Sequence, residues 1–212
     1  MKAPLRGIDG YSRLLLEDYA EKLDDEGRRF LNSVRQASVQ MGQLIDDLLS
    51  YSQLERRKVS MVPVKPRTVL DSLPVGYSDE IRDRGVKFTV ALPDAEVLAD
   101  TQGLAQVLRN LIDNALKFTR GAAAPAIEVA GRVEGGKTVL WVRDNGIGFD
   151  MKFTDRIFDI FQRLHRSEDY PGTGIGLAIV RKAMERMNGR VWAESAPGSG
   201  ATFYLEIPNH TS

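Results

Sequence analysis

The apolar positions in the first quarter of the chain repeat at alternating spacings of three and four residues. From Pro4 onward they fall at Leu5, Ile8, Leu15 and Tyr19, with Ser12 at the missing step. A second, longer run keeps this spacing to about Arg57 and contains Phe30, Val34, Ala37, Met41, Leu44, Leu48 and Tyr51. This is the spacing of helices that pack on other helices. It predicts an all-α helical hairpin with a charged connection over residues 20–26.

The apolar stripe of the second helix is wider than one partner helix can cover, because Ile45, Leu49 and Leu54 extend it. We therefore predict a homodimer in which two hairpins form a four-helix bundle. The alternative is that the stripe packs against the domain that follows in the same chain. The opposite face is polar, with Arg35 and Gln36 among its residues, so the stripe does not require a membrane.

Beyond Arg57 the pattern changes to short strands and helices. Pro63 and Pro66 prevent the helix from continuing, so we predict a hairpin domain over residues 1–57 and a second domain over residues 58–212. Runs rich in β-branched and apolar residues predict strands at 59–64, 86–92, 96–99, 127–133, 138–143, 190–194 and 201–207.

Helical patterns in the second domain cover residues 68–84, with a break at Pro74 and Gly76, and residues 101–119 and 174–187. A short helical turn is predicted at Arg156–Phe161. Helices mixed with two hairpins predict an α+β two-layer sandwich, in which the helices cover one face of the sheet.

Composition narrows the function classes. The chain has 212 residues, no cysteine, and equal numbers of basic and acidic residues, 29 of each. The absence of cysteine excludes disulfides, thiolate metal sites and a cysteine nucleophile. A balanced charge gives no field that would favour nucleic acid, and no apolar run approaches the roughly 20 residues of a membrane helix. We expect a cytoplasmic protein with no nucleic-acid partner and no direct membrane contact.

The first stretch that suggests chemistry is Asp144–Phe149, which follows the predicted strand at 138–143. A carboxylate at the end of a buried strand, followed by Gly146 and Gly148, can accept a hydrogen bond from an exocyclic amine such as that of adenine. The same residues are also typical of an ordinary Asn-Gly hairpin turn. The hexapeptide alone leaves these two interpretations open.

Polar residues on the predicted helix at 101–119 form a second candidate. Asn110, Asn114 and Lys117 lie on one ridge of that helix, opposite its apolar stripe. An amide oxygen can bind Mg²⁺, which usually also binds substrate phosphates, and a lysine supplies a point charge for a phosphate. A solvated helix face is the ordinary explanation for such a line.

Two glycine-rich turns complete the candidates. Gly172-Thr173-Gly174-Ile175-Gly176-Leu177 precedes a helix, whose N-terminal amides form an anion site. The spacing is neither that of a Walker A loop nor that of a dinucleotide fingerprint. Gly198–Phe203 is a second close-approach turn that enters a strand.

Taken in order, the segments 110–119, 144–149, 172–177 and 198–203 resemble the N box and the three glycine boxes of the sensor histidine kinases. Ile157–Phe161 resembles their F box. The amino-acid sequence from Phe161 to Gly176 is most similar to that of the phytochrome-type branch. The resemblance covers essentially the whole chain. It implies a dimerisation and phosphotransfer hairpin followed by a Bergerat-type ATP-binding domain, with ATP and Mg²⁺ as cofactors and a response-regulator receiver domain as partner.

The resemblance also implies residue roles. Asp144 would bind the adenine amine, Asn114 the Mg²⁺, and Arg163 the terminal phosphate from a lid over residues 150–171. Asn110 and Lys117 would serve the phosphates. The remaining nucleotide-binding residues would be Gly146, Gly148, Gly172, Thr173, Gly174, Gly176, Leu177 and Thr202.

The phosphoacceptor motif of the family is a histidine, an acid, a leucine, a basic residue, then Ala-Pro-Leu. Here Met1-Lys2-Ala3-Pro4-Leu5 matches its later part, so the histidine would lie before Met1. The two histidines present, His165 and His210, do not occupy that position. We expect the chain to bind ATP and dimerise without autophosphorylating. The alternatives are another ATPase of the same superfamily and a non-enzymatic, nucleotide-binding dimeric scaffold.

Overall fold

The computed structural model describes residues 2–73, 76–164 and 170–210. Its first part is a helical hairpin made of α1 (Ala3–Asp18) and α2 (Asp25–Arg56), joined by a 3-10 turn at Ala20–Lys22. Asp24 begins α2, because its carboxylate accepts a hydrogen bond from the amide of Gly27 at 2.7 Å. The predicted hairpin is confirmed.

The two helices approach closely where small polar residues lie between them. Ser12 and Ser38 are buried, and the Ser38 hydroxyl donates to the carbonyl oxygen of Leu5 at 2.8 Å. Nearby, Arg35 Nε donates to the carboxylate of Asp9 at 3.0 Å. Ser12 thus fills the step at which the apolar spacing of α1 is interrupted.

The second part contains four helices and seven strands among the described residues. They are, in chain order, β1 (Val62–Val64), α3 (Pro66–Asp71), α4 (Gly76–Asp83), β2 (Lys87–Ala91), β3 (Val97–Ala99), α5 (Thr101–Phe118), β4 (Ala126–Glu134), β5 (Lys137–Asp144), α6 (Gly176–Arg186), β6 (Arg190–Ser195) and β7 (Ala201–Pro208). Of the two residues at which the helix break is predicted, Pro74 lies outside the described residues and Gly76 is the first residue of α4.

A five-stranded sheet with the order β2-β4-β5-β7-β6 organises this domain. Of the strand pairs in the described part of the chain, only β2–β4 is parallel, and β1 and β3 form a separate antiparallel pair. Helix α5 begins at the Asp100 cap and buries its apolar stripe, which includes Leu104, Leu108 and Leu111. Because α5 and α6 pack together and join one continuous core with the sheet, the predicted two-layer α+β sandwich is confirmed.

One local prediction is wrong. Residues 156–161 form successive turns rather than a helical turn, and the helical turn nearby is a 3-10 turn at Met151–Phe153. Phe161 has φ 66°, a left-handed conformation that ends any helix, and its amide donates to the carbonyl of Gly174 at 3.0 Å. A tertiary hydrogen bond therefore replaces the helical one. The first strand is also shorter than predicted, at Val62–Val64.

The C-terminal end of α2 packs against α6 of the second domain. Leu54 belongs to the core of that domain, and the Arg186 guanidinium donates to the carbonyls of Leu54 and Arg57, the latter at 2.6 Å. Such a cation stabilises the negative end of a helix. At this end of α2, the apolar stripe is covered by the second domain of the same chain. This is the packing that we named as the alternative to a dimer.

Other residues of the stripe are uncovered within one chain, although Leu44 and Tyr51 pack against the core. Phe30 is 62% exposed and Met41 is 53% exposed, and Val34, Leu48 and Leu49 are also exposed. Contiguous apolar surface of this kind marks an interaction face. Among the described helices, none is long and apolar enough to cross a membrane.

Candidate functional site

A cavity of about 470 Å³ lies where α5, α6 and the end of β5 meet the C-terminal half of α2. That volume is in the ordinary range for a small-molecule site. The predicted residues that line it are Asn110, Asn114, Lys117, Asp144, Gly148, Arg163, Gly172, Thr173, Gly174, Gly176 and Leu177. Gly146 and Thr202 are not among the described lining residues.

Asp144 forms one end of the cavity. It is the last residue of β5 and only 6% exposed, and its Oδ1 accepts a hydrogen bond from the amide of Gly146 at 2.8 Å. Burial raises the pKa of Asp144 to about 6, although backbone hydrogen bonds from Gly146 and Ala201 oppose the shift. The apolar side chains of Phe149, Ile157, Ile179 and Phe203 line the same cavity. This end suits a flat apolar ring that carries a hydrogen-bond donor.

Two turns are nested beside Asp144 and require glycine. A Cβ on Gly148, at φ 60°, would lie 2.1 Å from the carbonyl oxygen of Ala196. A Cβ on Gly200, at φ 79°, would lie 1.9 Å from the carbonyl oxygen of Asp144. No side chain fits at such distances. Glycine at both positions therefore allows the two turns to approach each other and the end of β5 closely.

Ser195 connects these two turns. Its hydroxyl oxygen accepts a hydrogen bond from the amide of Phe149 at 2.8 Å and donates to the carbonyl of Gly200 at 2.7 Å. The sequence analysis did not single out this residue. A serine at the end of a strand carries no distinctive local signal.

The other end of the cavity is polar and basic. Asn110, Asn114 and Lys117 reach it from α5, as their common ridge predicts. Burial lowers the pKa of Lys117 to about 8, and the nearby Arg163 and Arg120 lower it further in the same direction. The carboxylate of Asp113 acts in the opposite direction but does not cancel this shift. This end therefore suits an anionic ligand.

The glycine-rich turn and the start of α6 complete the basic end. No side chain of the described residues caps helix α6, so the amides of its first turn are available to a ligand. The Thr173 hydroxyl accepts a hydrogen bond from the amide of Ile175 at 3.3 Å. Arg163 lines the cavity, and its Nη2 donates to the carbonyl of Tyr170 at 2.9 Å. Unpaired helix-terminal amides beside cations form a phosphate site.

Thr202 lies away from the cavity. It pairs with Arg143 across β5 and β7, and its hydroxyl accepts a hydrogen bond from Arg143 Nε at 3.3 Å. Its neighbours Ala201 and Phe203 line the cavity instead, because side chains alternate between the faces of a strand. Gly146 is not among the lining residues, and its amide donates a hydrogen bond to the Asp144 carboxylate. His165 lies outside the described residues.

Sequence reasoning missed the contribution of the hairpin. Gln43, Asp46, Asp47 and Ser50 of α2 line the basic end, and the Thr173 hydroxyl donates to the carboxylate of Asp47. Phe118 and Tyr170 also line the cavity. The α2 residues are far from the cavity in sequence, so only the packing of α2 on α6 brings them there.

Two family models match the chain. The model described as "Histidine kinase-, DNA gyrase B-, and HSP90-like ATPase" matches residues 99–211, which include every predicted nucleotide-binding residue. The chain belongs to this family. The "His Kinase A (phospho-acceptor) domain" matches residues 1–57, the hairpin. Together they make the chain the catalytic core of a sensor histidine kinase.

Known histidine kinases and phytochromes resemble this core along its whole length. The phytochrome-like protein Cph1 of Synechocystis sp. is 38% identical over 208 residues, which are 98% of this chain and 28% of that protein. The methanogenesis regulatory histidine kinase FilI of Methanothrix harundinacea is 33% identical over 98% of this chain and 23% of its own length. This histidine kinase core thus spans about a quarter of the relatives that it matches.

A solved structure has the same fold. Full-length ShkA in complex with AMPPNP superposes on the histidine kinase core with a TM-score of 0.71, at 28% identity, over 100% of this chain and 44% of that one. The hairpin and the sandwich domain therefore occur together in a solved structure.

Proposed function

We propose that this chain binds Mg²⁺–ATP in the cavity, dimerises through its hairpin, and serves as the kinase core of a longer two-component sensor. The observation that carries the proposal is the division of one cavity into a buried carboxylate end and a basic end. This arrangement suits a purine nucleoside triphosphate, whose base would lie at the carboxylate end and whose phosphates would lie at the basic end. The proposed boundary between the two domains lies between residues 57 and 58.

The carboxylate end fits adenine. The ionised Asp144 would accept a hydrogen bond from the exocyclic amine, and the apolar wall that includes Ile179 and Phe203 would cover the ring. Guanine presents an acceptor where adenine has this amine, so the same carboxylate would reject it. Buried polar groups discriminate strongly between ligands, since a mismatch leaves the group unpaired.

The basic end fits the phosphates. Asn110, Lys117, Arg163 and the amides around Gly174 and Gly176 would hold them. The amide oxygen of Asn114 would bind Mg²⁺, which neutralises charge on the phosphates when it is bound. Phosphoryl transfer depends mainly on positioning and charge neutralisation, so a site of amides and cations suits it.

The hairpin would supply the dimer and the phosphotransfer surface. Its exposed apolar stripe needs a partner, and a second copy completes a four-helix bundle. The match to the phospho-acceptor domain supports a phosphotransfer role for the bundle, which would pass the phosphoryl group to a response-regulator receiver domain. A fold neighbour, ThkA, with a TM-score of 0.69 and 21% identity, is known in complex with response regulator protein TrrA.

Residues 1–57, which match the phospho-acceptor domain, contain no histidine, so we assign no acceptor within this hairpin. That same feature favours a second candidate for the isolated chain, a nucleotide-binding dimeric scaffold without kinase activity. The hairpin match disfavours other ATPases of the family.

Labelled ATP separates these functions. With γ-labelled ATP and Mg²⁺, we expect no label on this chain. We expect label that acid removes and base does not on a chain extended upstream by the family's His-acid motif. Asn114→Ala in the extended chain should abolish the label. Stable label on the original chain, or none on the extended one, would contradict the proposal.

A further inference from the structure

Phe118 and Tyr170 lie between the two ends of the cavity. Their ring centroids are 5.4 Å apart with an interplanar angle of 43°, and both residues line the cavity. Such tilted pairs are favourable beyond the area they bury. The pair therefore joins Phe118, the last residue of α5, to Tyr170.

Phe118 is itself connected to both ends. Its carbonyl accepts a hydrogen bond from the amide of Ile147 at 3.3 Å, in the turn after Asp144. On the other side, Lys117 Nζ lies 4.3 Å from the centroid of its ring. A ring that packs on Phe118 thus lies where the sugar of a nucleotide would join the base to the phosphates.

Tyr170 is connected to the basic end through its main chain. Its carbonyl oxygen accepts the hydrogen bond from Arg163 Nη2 at 2.9 Å. The ring and the carbonyl of Tyr170 thus make two separate contacts, one with Phe118 and one with the Arg163 guanidinium.

We propose that Tyr170 is a nucleotide-binding residue that also positions Arg163: its ring, held on Phe118, closes the middle of the cavity, and its carbonyl directs the guanidinium toward the phosphates. The inference rests on the proposed nucleotide function. The ring holds the residue on Phe118, and the carbonyl of the same residue contacts Arg163. Arg163 acts on the terminal phosphate, so the positioning role affects triphosphates more than diphosphates.

Calorimetric titration of the full chain with Mg²⁺–ADP and Mg²⁺–AMPPNP tests the inference. We expect Tyr170→Phe to bind both within about twofold of the unsubstituted chain, and Tyr170→Ala to bind ADP about tenfold more weakly, as loss of an aromatic contact implies. The loss for AMPPNP should be larger. Should Tyr170→Ala fail to fold, Tyr170→Leu removes the ring while it keeps apolar volume.

A double-mutant cycle with Arg163→Ala separates positioning from simple packing. We expect the two losses to be non-additive for AMPPNP and additive for ADP. Tyr204→Ala is the matched control, because Tyr204 stacks on Trp192 at 5.1 Å and does not line the cavity. It should bind both nucleotides normally.

Unchanged affinity in Tyr170→Ala, with normal binding by the unsubstituted chain, would overturn the inference and leave the proposed function standing. Additive losses for AMPPNP would also overturn it, since they remove the link to Arg163. If the unsubstituted chain bound neither nucleotide, the proposed function and this inference would both fail.

Discussion

Helices α2 and α5 share the same apolar periodicity but differ in what they bury. Among the 18 residues of α5, the buried ones include Leu104, Val107, Leu108, Leu111, Ile112, Ala115 and Leu116. Among the 32 residues of α2, the buried ones are Ser38 and Leu54. A helix in a completed core and a helix awaiting a partner therefore look alike in sequence. The surrounding fold decides which residues are covered.

The largest expected effect is on the free energy of unfolding, when a leucine is replaced by alanine in each of the two helices. Leu108→Ala opens a cavity in the completed core, and we expect it to lower the free energy of unfolding by about 2–5 kcal/mol at any protein concentration. Leu48→Ala lies on the exposed stripe of α2, so its cost should grow as concentration rises through the range of dimerisation. Urea unfolding at two widely separated concentrations measures both. Concentration-independent costs for both variants would contradict the comparison.

The second prediction breaks the partner surface. Val34→Glu combined with Met41→Glu places unpaired carboxylates on the stripe, and we expect dimer affinity to fall by at least about a hundredfold. Sedimentation measures the dissociation, and ADP titration should show unchanged nucleotide affinity. Val133→Glu is the matched control, because Val133 is 51% exposed in the other domain. A double variant that remains dimeric would place the interface elsewhere.

The third prediction uses the two ends of the cavity. Asp144 must be ionised to accept the adenine amine, so ADP affinity should fall about tenfold per pH unit below about pH 6, the folded pKa. Lys117 must be protonated to attract phosphate, so affinity should also fall as pH rises above about 8. Lys117→Arg should remove the alkaline decline, since arginine stays protonated. A flat profile from pH 5 to pH 7 would refute the role of Asp144.

The smallest effect concerns the contact between the two domains. Asp47 accepts a hydrogen bond from Thr173 and adds negative charge to the basic end of the cavity. We expect Asp47→Asn to raise AMPPNP affinity by about two- to threefold, because a partly exposed charge acts weakly. Asp25→Asn is the control, since the Asp25 side chain is fully exposed at 100% in the first turn of α2. A weaker affinity in Asp47→Asn would mean that α2 supports the site rather than opposing it.

Local signals predicted the elements and most of the cavity wall. Asp144, Asn114 and the turn at Gly174 could be singled out because each combines a strand end or helix ridge with a polar or glycine residue. The predicted nucleotide-binding residue Thr202 is not among the lining residues, because it pairs with Arg143 and lies on the other face of β7 from Ala201 and Phe203. Strand register depends on tertiary contacts, so the local sequence pattern does not predict it.

The other misses have the same origin. The turns at 156–161 depend on the left-handed conformation of Phe161, which a hydrogen bond to Gly174 selects. Asp46 and Asp47 face the cavity only because α2 packs on α6 through Leu54 and Arg186. Contacts between segments distant in the chain leave no local pattern to read.

Calorimetric titration with Mg²⁺–ADP and Mg²⁺–GDP at pH 7 tests the central claim, that Asp144 selects adenine in this cavity. The account predicts clear binding of ADP, at least about a hundredfold weaker binding of GDP, and loss of ADP binding in Asp144→Asn. Equal affinity for the two nucleotides, or no heat with ADP, would contradict it.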